Sequence, residues 1–178
     1  MKRNCVEEAL SIAWRLPTTT TSNDADDFLI VTERGILIYH DGEQVRMLRD
    51  DKRRYLCAVF VTATVIVSGD DTGALTFWQW DSTIPLSRYD SAHDVRVKAV
   101  GVVPTAGPFA SVVSASSDGV IRMWHLRGCP GPGDDASRLK LRGDDDVFDV
   151  VLVGEERTNS RITCLAAGPG GVTLPPTS

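Results

Sequence analysis

The apolar residues of this chain fall into short runs, and turn-forming or charged residues separate one run from the next. The runs are rich in β-branched and aromatic residues, which is typical of strands. No segment shows the 3.6-residue periodicity of an amphipathic helix. The pattern therefore predicts an all-β fold with these strands: Val6–Trp14, Phe28–Val31, Ile36–Tyr39, Gln44–Leu48, Tyr55–Thr62, Thr64–Ser68, Leu75–Trp80, Pro85–Tyr89, Val95–Val103, Phe109–Ala115, Val120–Leu126, Val147–Val153 and Arg161–Ala166.

The segment from Ser114 to Leu126 reads as a strand, a tight turn and a second strand. Asp118-Gly119 supplies the turn, because glycine adopts positive φ without steric cost. Trp124 lies on the following strand, and His93 precedes the strand before the hairpin. Asp-Gly hairpins occur in many β folds, but a leading His, an Asp-Gly turn and a following Trp together favour a WD-repeat blade.

The sequence contains an internal repeat. The segments Gly35–Tyr39, Gly73–Trp78 and Gly119–Trp124 each join a glycine turn to an aromatic residue, and those aromatic residues are 39 and 46 residues apart. A four-stranded propeller blade has a period of roughly 40–45 residues. Arg54, Arg96 and Arg161 each open a predicted strand. The first two are 42 residues apart, and the Gly/Pro/Asp-rich insertion accounts for the longer spacing of 65 residues between Arg96 and Arg161. Two independent registers therefore indicate one period.

This period divides the chain into blades at about 6–49, 54–90 and 95–153, followed by a single strand at 161–166. Together they predict a partial WD40 β-propeller over 1–167, with a surface insertion at 128–146 and a disordered tail at 168–178. Propellers typically close with about four to eight blades. We expect three blades and one strand to be too few for a ring. The chain would then be part of a longer protein, a truncated product or a segment that pairs with another chain.

Composition narrows the class of protein. The chain has 178 residues, a net charge of −5 and 42% hydrophobic residues, as expected of one ordinary soluble domain. The acidic balance argues against nucleic-acid binding by charge, and we expect no sequence-specific DNA binding. No apolar run is long enough to span a membrane, and no apolar signal core follows Met1. The cysteines form no C-x-x-C pair, so we expect reduced thiols in an intracellular protein: Cys5, Cys57, Cys129 and Cys164.

His93, Ser114 and Asp118 include the residue types of a catalytic triad, but no G-x-S-x-G segment surrounds Ser114. The blade interpretation predicts a structural hydrogen-bond chain instead. Asp118 would hold one nitrogen of His93, and the other nitrogen would meet Ser114, which would meet the indole of Trp124. We therefore expect no enzymatic activity. Trp80 is a candidate partner contact if it lies on an exposed rim, although a half-buried packing role is the alternative.

No cofactor or metal is expected. The Gly-rich segment Gly128–Gly133 lacks both a P-loop lysine and G-x-G-x-x-G spacing. The acidic residues Asp144–Asp146 and Asp149 lack EF-hand spacing, which favours a solvated loop over a calcium site.

Three strings suggest a family: S-A-H-D-V-R-V-K at 91–98, V-V-S-A-S-S-D-G-V-I-R-M-W at 112–124 and T-N-S-R-I-T-C-L at 158–165. They resemble the C-terminal blades of the PAK-interacting family of nucleolar WD-repeat proteins. The resemblance implies a seven-bladed propeller that acts in large-ribosomal-subunit assembly in the nucleus and nucleolus. It also implies negative regulation of p21-activated kinases through binding of their regulatory segment.

The chain departs from that family in two respects. It lacks the N-terminal blades, and it ends at Pro175–Ser178 without the Lys-rich tail that such proteins carry. The leading hypothesis is a non-enzymatic scaffold in ribosome biogenesis that binds proteins or pre-ribosomal particles. The alternatives are a kinase regulator that binds a regulatory segment, and a truncated, non-functional propeller fragment. An enzyme built on a propeller would need clustered acidic or histidine residues, and no such set is evident in the sequence.

Overall fold

The structure is a computed structural model that describes residues 8–15, 27–103, 110–127, 149–158, 160–162 and 165. This part of the chain contains strands and turns and no helix, so the prediction of an all-β chain is confirmed. The strands are β1 Ala9–Trp14, β2 Phe28–Thr32, β3 Gly35–His40, β4 Glu43–Leu48, β5 Tyr55–Phe60, β6 Val65–Asp70, β7 Leu75–Gln79, β8 Pro85–Tyr89, β9 Val97–Val103, β10 Ala110–Ser116, β11 Val120–Arg127 and β12 Asp149–Arg157.

The strands form three antiparallel sheets of four strands each. Sheet 1 contains β1–β4, sheet 2 contains β5–β8, and sheet 3 contains β9–β12, each in chain order. Strands that follow one another therefore pair with one another, as tight turns between antiparallel strands require. Gly119, for example, has a φ of 91° in the turn between β10 and β11. Three consecutive four-stranded meanders are consistent with a β-propeller-like fold.

The three sheets stack face to face, and sheet 2 lies in the middle. One of its faces packs on sheet 1, where Trp78 and Phe60 meet Ile38 and its neighbours. Its other face packs on sheet 3, where Phe77 joins Val112 in one core. Every residue of β6 and β7 is buried as a result. Burial of apolar side chains on both faces is the main driving force for this stacking.

The sheets approach one another most closely along their first strands. β5 contacts β1 on one side and β9 on the other. Close to this junction, a Cβ atom on Gly69 would overlap the side chain of Val97, so the contact between sheets 2 and 3 requires glycine there. The sheets thus share an inner edge, as the blades of a propeller do.

Two predicted elements differ most from the structure. Strand β12 extends to Arg157, beyond the predicted end at Val153, because it pairs along the whole of β11 and Glu155 binds Arg122 at 2.8 Å. No strand is present at Arg161, Ile162 or Leu165, whereas the sequence predicted one over 161–166. Before this point Thr158 bonds back to Gly119 and directs the chain away from β12.

Residues 163, 164 and 166 of that predicted strand lie outside the described residues, as do the start of the strand predicted at Val147, the insertion at 128–146 and the tail at 168–178. The described part of the chain contains no helix of the length and hydrophobicity needed to cross a membrane.

Candidate functional site

The structure brings together three of the four residues that were predicted to form a hydrogen-bond chain. The Oγ of Ser114 lies 2.7 Å from Nε2 of His93 and accepts a hydrogen bond from the indole of Trp124 at 2.8 Å. His93 precedes β9, Ser114 lies within β10 and Trp124 lies within β11, so the contacts join three positions of sheet 3. All three side chains are buried. Buried polar groups of this kind restrict the geometry around them when their bonds are made.

The fourth residue, Asp118, does not join this set of hydrogen bonds. This corrects the prediction that its carboxylate holds His93. Asp118 is exposed in the turn, where its carboxylate accepts a hydrogen bond from the backbone of Val120 at 3.1 Å. Nδ1 of His93 has no hydrogen-bond partner among the described residues. The Asp carboxylate bonds within its own turn, as Asp side chains commonly do. Within the described part of the chain, the imidazole of His93 therefore bonds through one nitrogen only.

Burial makes His93 a weak base. Desolvation is the main cause that lowers the pKa of its imidazole to about 4, and the positive charge of Arg122 acts in the same direction. The nearby carboxylates Asp118, Glu155 and Asp94 oppose this shift. The imidazole is therefore neutral near pH 7. Ser114 is fully buried, and its hydroxyl oxygen accepts the hydrogen bond from the Trp124 N–H.

Sheet 2 repeats the Trp–Ser contact with a different polar group at the turn. Trp78 donates to Ser68 at 2.8 Å, just as Trp124 donates to Ser114. The buried carboxylate of Asp70 accepts bonds from the hydroxyl of Thr72 at 2.7 Å and from the guanidinium of Arg88 at 2.7 Å.

The repeat in the sequence does not predict the role of Asp70, because Thr72 occupies the position in sheet 2 that is equivalent to Asp118 in sheet 3. The available signal was an acidic residue that ends a strand and precedes Thr72 and Gly73. An Asp side chain at the start of a turn commonly accepts bonds from the backbone that follows. The Asp70 carboxylate does so from the N–H groups of Thr72 and Ala74, at 2.9 and 3.0 Å.

Trp80, the candidate partner contact, lies at the junction of sheets 1 and 2 and is half-buried. Its ring lies 5.7 Å from that of Phe60, and the guanidinium of Arg15 lies 4.8 Å from its centroid. Arg46 donates to its backbone carbonyl at 2.9 Å. Arg15 directly follows β1 and Arg46 lies within β4, so both belong to sheet 1. Trp80 therefore packs between sheets 1 and 2.

The exposed tryptophan is Trp14 in β1, of which 62% is accessible to solvent. Its ring lies 5.1 Å from Phe28, which stacks on Tyr39 at 4.7 Å with nearly parallel planes. Strand registers place further apolar residues on the same side of sheet 1. We call this side the outer face of sheet 1, and it comprises Ile12, Trp14, Phe28, Ile30, Leu37 and Tyr39.

Among the described residues, no group of three His, Cys, Asp or Glu side chains could hold a metal ion. Cys57 is a free, buried thiol, and desolvation raises its pKa to about 12. The acidic residues Asp144–Asp146 lie outside the described part.

Comparison with known proteins supports the resemblance that the motifs suggest. A p21-activated protein kinase-interacting protein 1 from Bos taurus is 28% identical over 164 residues, which cover 92% of this chain. The human protein of the same name is 25% identical over 164 residues. A Xenopus laevis relative, p21-activated protein kinase-interacting protein 1-like, is 28% identical over 149 residues, or 79% of this chain. This chain resembles the kinase-interacting proteins over most of its length. It spans 36% of the length of each of these relatives, and no family model matches it.

Solved structures support the fold alone. The computationally designed Ika4 protein matches with a TM-score of 0.61 at 15% identity, over 94% of this chain and 84% of that chain. A chain from an active polycomb repressive complex 2 in the basal state matches with a TM-score of 0.56 at 15% identity, over 67% of this chain and 27% of that chain.

Proposed function

We propose that this chain is a non-enzymatic scaffold of WD40 propeller blades that binds a p21-activated protein kinase through the regulatory segment of the kinase. The observation that carries the proposal is its similarity, over most of its length, to relatives named as interacting with such a kinase. Each of the three stacked four-stranded sheets would be one blade of the scaffold.

Two features of the hydrogen-bonded residues Ser114 and His93 argue against a catalytic role for them. The Ser114 hydroxyl is inaccessible to solvent, and one of its two lone pairs accepts the indole N–H of Trp124. A nucleophilic serine needs access to its substrate and a base held in position by a third group. His93 has no such third group among the described residues, because its Nδ1 has no hydrogen-bond partner there.

Binding can be tested by interferometry with the purified 178-residue chain and a purified p21-activated kinase. We expect saturable binding with a Kd below about 10 μM, as is common for signalling contacts of modest size. A kinase domain without the regulatory segment is the matched control and should not bind. Equal binding of both kinase forms would assign the contact to the catalytic domain, and no binding of either form would contradict the proposal.

A role in large-ribosomal-subunit assembly in the nucleolus is the second candidate, and the strings at 91–98 and 158–165 favour it through the family resemblance. Gradient sedimentation of tagged chain from cells tests this role. Co-migration with pre-ribosomal particles would support it, and recovery only in light fractions would contradict it. A truncated, non-functional fragment would instead be degraded rapidly by protease in its native buffer.

A further inference from the structure

The outer strand of sheet 3, β12, has one edge that pairs with nothing in the described part of the chain. It pairs with β11 along one side and with no described strand along the other. Its nine residues make it longer than the other outer strands, β4 with six residues and β8 with five. Because β12 is the strand of sheet 3 farthest from the shared inner edge, this opening does not depend on a neighbouring sheet.

The middle of β12 lacks the residues that usually prevent an edge strand from pairing with another chain. Proline and charged residues are two common devices of this kind. β8 begins with Pro85, which has no backbone N–H, and β4 carries Glu43 and Arg46 within its six residues. β12 instead has four consecutive apolar residues, Val150–Val153. A run of high β-propensity at an open edge is a template for an added strand.

A bulge at the same place in all three outer strands allows their surfaces to be compared. The extra residue is Val45 in sheet 1, Leu86 in sheet 2 and Val153 in sheet 3. Leu86 is half-buried, whereas Val45 is 47% exposed and Val153 is 44% exposed. The residues on both sides of Val45 are polar, but Val153 follows Leu152, which is 43% exposed. Val153 therefore belongs to an apolar surface, and Val45 does not.

The gap between the outer strands of sheets 2 and 3 is also apolar beside this edge. Leu152 is the cross-strand partner of Trp124, and the ring of Tyr89 in β8 lies 5.1 Å from that of Trp124. Leu152 and Tyr89 therefore line the same gap, and Tyr89 is 39% exposed. Successive side chains of a strand alternate between its two faces. A strand added to β12 would thus place every second side chain over this gap.

The ends of β12 are acidic. Three carboxylates and one guanidinium, those of Asp149, Glu155, Glu156 and Arg157, give the strand a net charge of −2. Glu155 pairs with Arg122 at 2.8 Å, and Glu156 forms no ion pair with another described residue. Charge complementarity therefore favours a partner segment that carries basic residues next to its apolar ones.

We propose that β12 binds the regulatory segment of the kinase as a fifth strand of sheet 3. Such binding rests on the kinase interaction proposed above and assigns it to one edge of the molecule. In this mode main-chain hydrogen bonds to the open edge supply affinity, and alternate side chains supply specificity. The bound segment would be extended, with apolar side chains towards Leu152 and Tyr89 and a basic side chain beside Glu156.

The test compares binding of a purified regulatory segment of a p21-activated kinase to variants of the 178-residue chain by interferometry. Val153→Lys should weaken binding by about tenfold or more, because it places a positive charge in the apolar middle of β12 beside a basic segment. Val45→Lys is the matched control, since it changes the equivalent bulge residue of β4, and it should alter the Kd by less than about twofold. Glu156→Lys should weaken binding and reduce its dependence on salt. Both valines are exposed, so neither variant is expected to unfold the chain.

Hydrogen exchange locates the contact independently. The bound segment should protect backbone amides within 149–157 and leave those within 43–48 unchanged, because an added strand bonds the outward N–H groups of β12. Equal binding of wild type and Val153→Lys, or protection confined to other strands, would overturn the assignment to β12 and leave kinase binding in place. Absence of binding by the wild-type chain would contradict the kinase interaction itself and, with it, the added strand.

Discussion

The Nε2 atom of His93 lies 2.7 Å from the Oγ of Ser114, and both groups are buried. Replacing His93 with Ala removes this contact and leaves a cavity. We expect the change to lower the free energy of unfolding by about 2–4 kcal/mol. Replacing Ser114 with Ala leaves the Trp124 N–H unsatisfied and should cost about 1–3 kcal/mol. Urea denaturation at pH 7 measures both values.

Asp118→Ala provides the contrast, because this carboxylate bonds only within its turn in the described structure. Its loss should cost about 1 kcal/mol or less. A double-mutant cycle should give coupling of roughly 0.5–3 kcal/mol between His93 and Ser114, and almost none between His93 and Asp118. Strong coupling of His93 to Asp118 would instead support the hydrogen bond between these two side chains that the sequence predicts.

The lowered pKa of His93 makes stability depend on pH. In the folded state this pKa is about 4, whereas the ordinary value for histidine is 6.5. The unfolded chain therefore binds the proton more tightly, and stability contributed by the neutral imidazole is present above pH 6.5 and is lost as the pH falls towards 4. We expect a loss of roughly 3 kcal/mol over this window, at about 1.4 kcal/mol for each unit of pKa shift.

The measurement is the free energy of unfolding of wild type and of His93→Gln, each determined from about pH 7.5 to about pH 4. Other carboxylates titrate in both proteins, so the difference between the two curves isolates His93. That difference should shrink as the pH falls. Parallel curves would show that His93 keeps an ordinary pKa in the folded chain.

Part of the hydrogen-bonded set around Ser114 can be predicted from the sequence alone. Ser114 and Trp124 lie on the two strands of one hairpin, and the position of the Asp-Gly turn largely determines which strand residues come close. The direction of the Asp118 carboxylate does not follow in this way, because it depends on whether the turn N–H groups or the imidazole compete better for it. In the structure the backbone of Val120 is its partner.

The open face around Trp14 is harder still to predict. Alternation along β1 shows that successive residues point to opposite sides, but it does not show which side another sheet covers. The stacking of sheet 2 determines which side is covered, because Phe60 and Trp78 of sheet 2 pack on the opposite side of sheet 1. Only the comparison of equivalent positions in three sheets shows that the side carrying Trp14 lacks a neighbour among the described elements.

Asp70 is expected to stabilise sheet 2 as His93 stabilises sheet 3. Burial opposes its ionisation, but hydrogen bonds from Thr72, Arg88 and the backbone of Ala74 outweigh burial and hold the pKa of the carboxyl below its usual value. Asp70→Ala leaves these donors unpaired, and we expect a loss of about 2–4 kcal/mol in the free energy of unfolding.

Asp90 is the matched control for Asp70, because it also pairs with Arg88 but is largely exposed. Exposed ion pairs contribute little to stability. Asp90→Ala should therefore leave the thermal midpoint almost unchanged. Comparable losses in both variants, measured by calorimetry, would show that the Arg88 charge matters more than the turn bonds of Asp70.

The turn glycine Gly73 combines a positive φ of 94° with close packing against the segment that leads into sheet 3. A Cβ atom at this position would overlap the carbonyl oxygen of His93 and lie 2.9 Å from that of Val95. Gly73 also accepts a hydrogen bond from the backbone N–H of His93 at 2.8 Å. Gly73→Ala should therefore displace the entry to β9 and cost more than about 3 kcal/mol.

Gly42 separates the two contributions, because its φ is 77° but a Cβ atom added there would meet no atom of the described residues within 4 Å. Gly42→Ala should cost only the backbone term of about 1–2 kcal/mol. Denaturant midpoints of the two variants measure the difference. If the two losses were equal, backbone conformation alone would explain the need for glycine, and the packing of Gly73 on His93 would contribute nothing to the alignment of sheets 2 and 3.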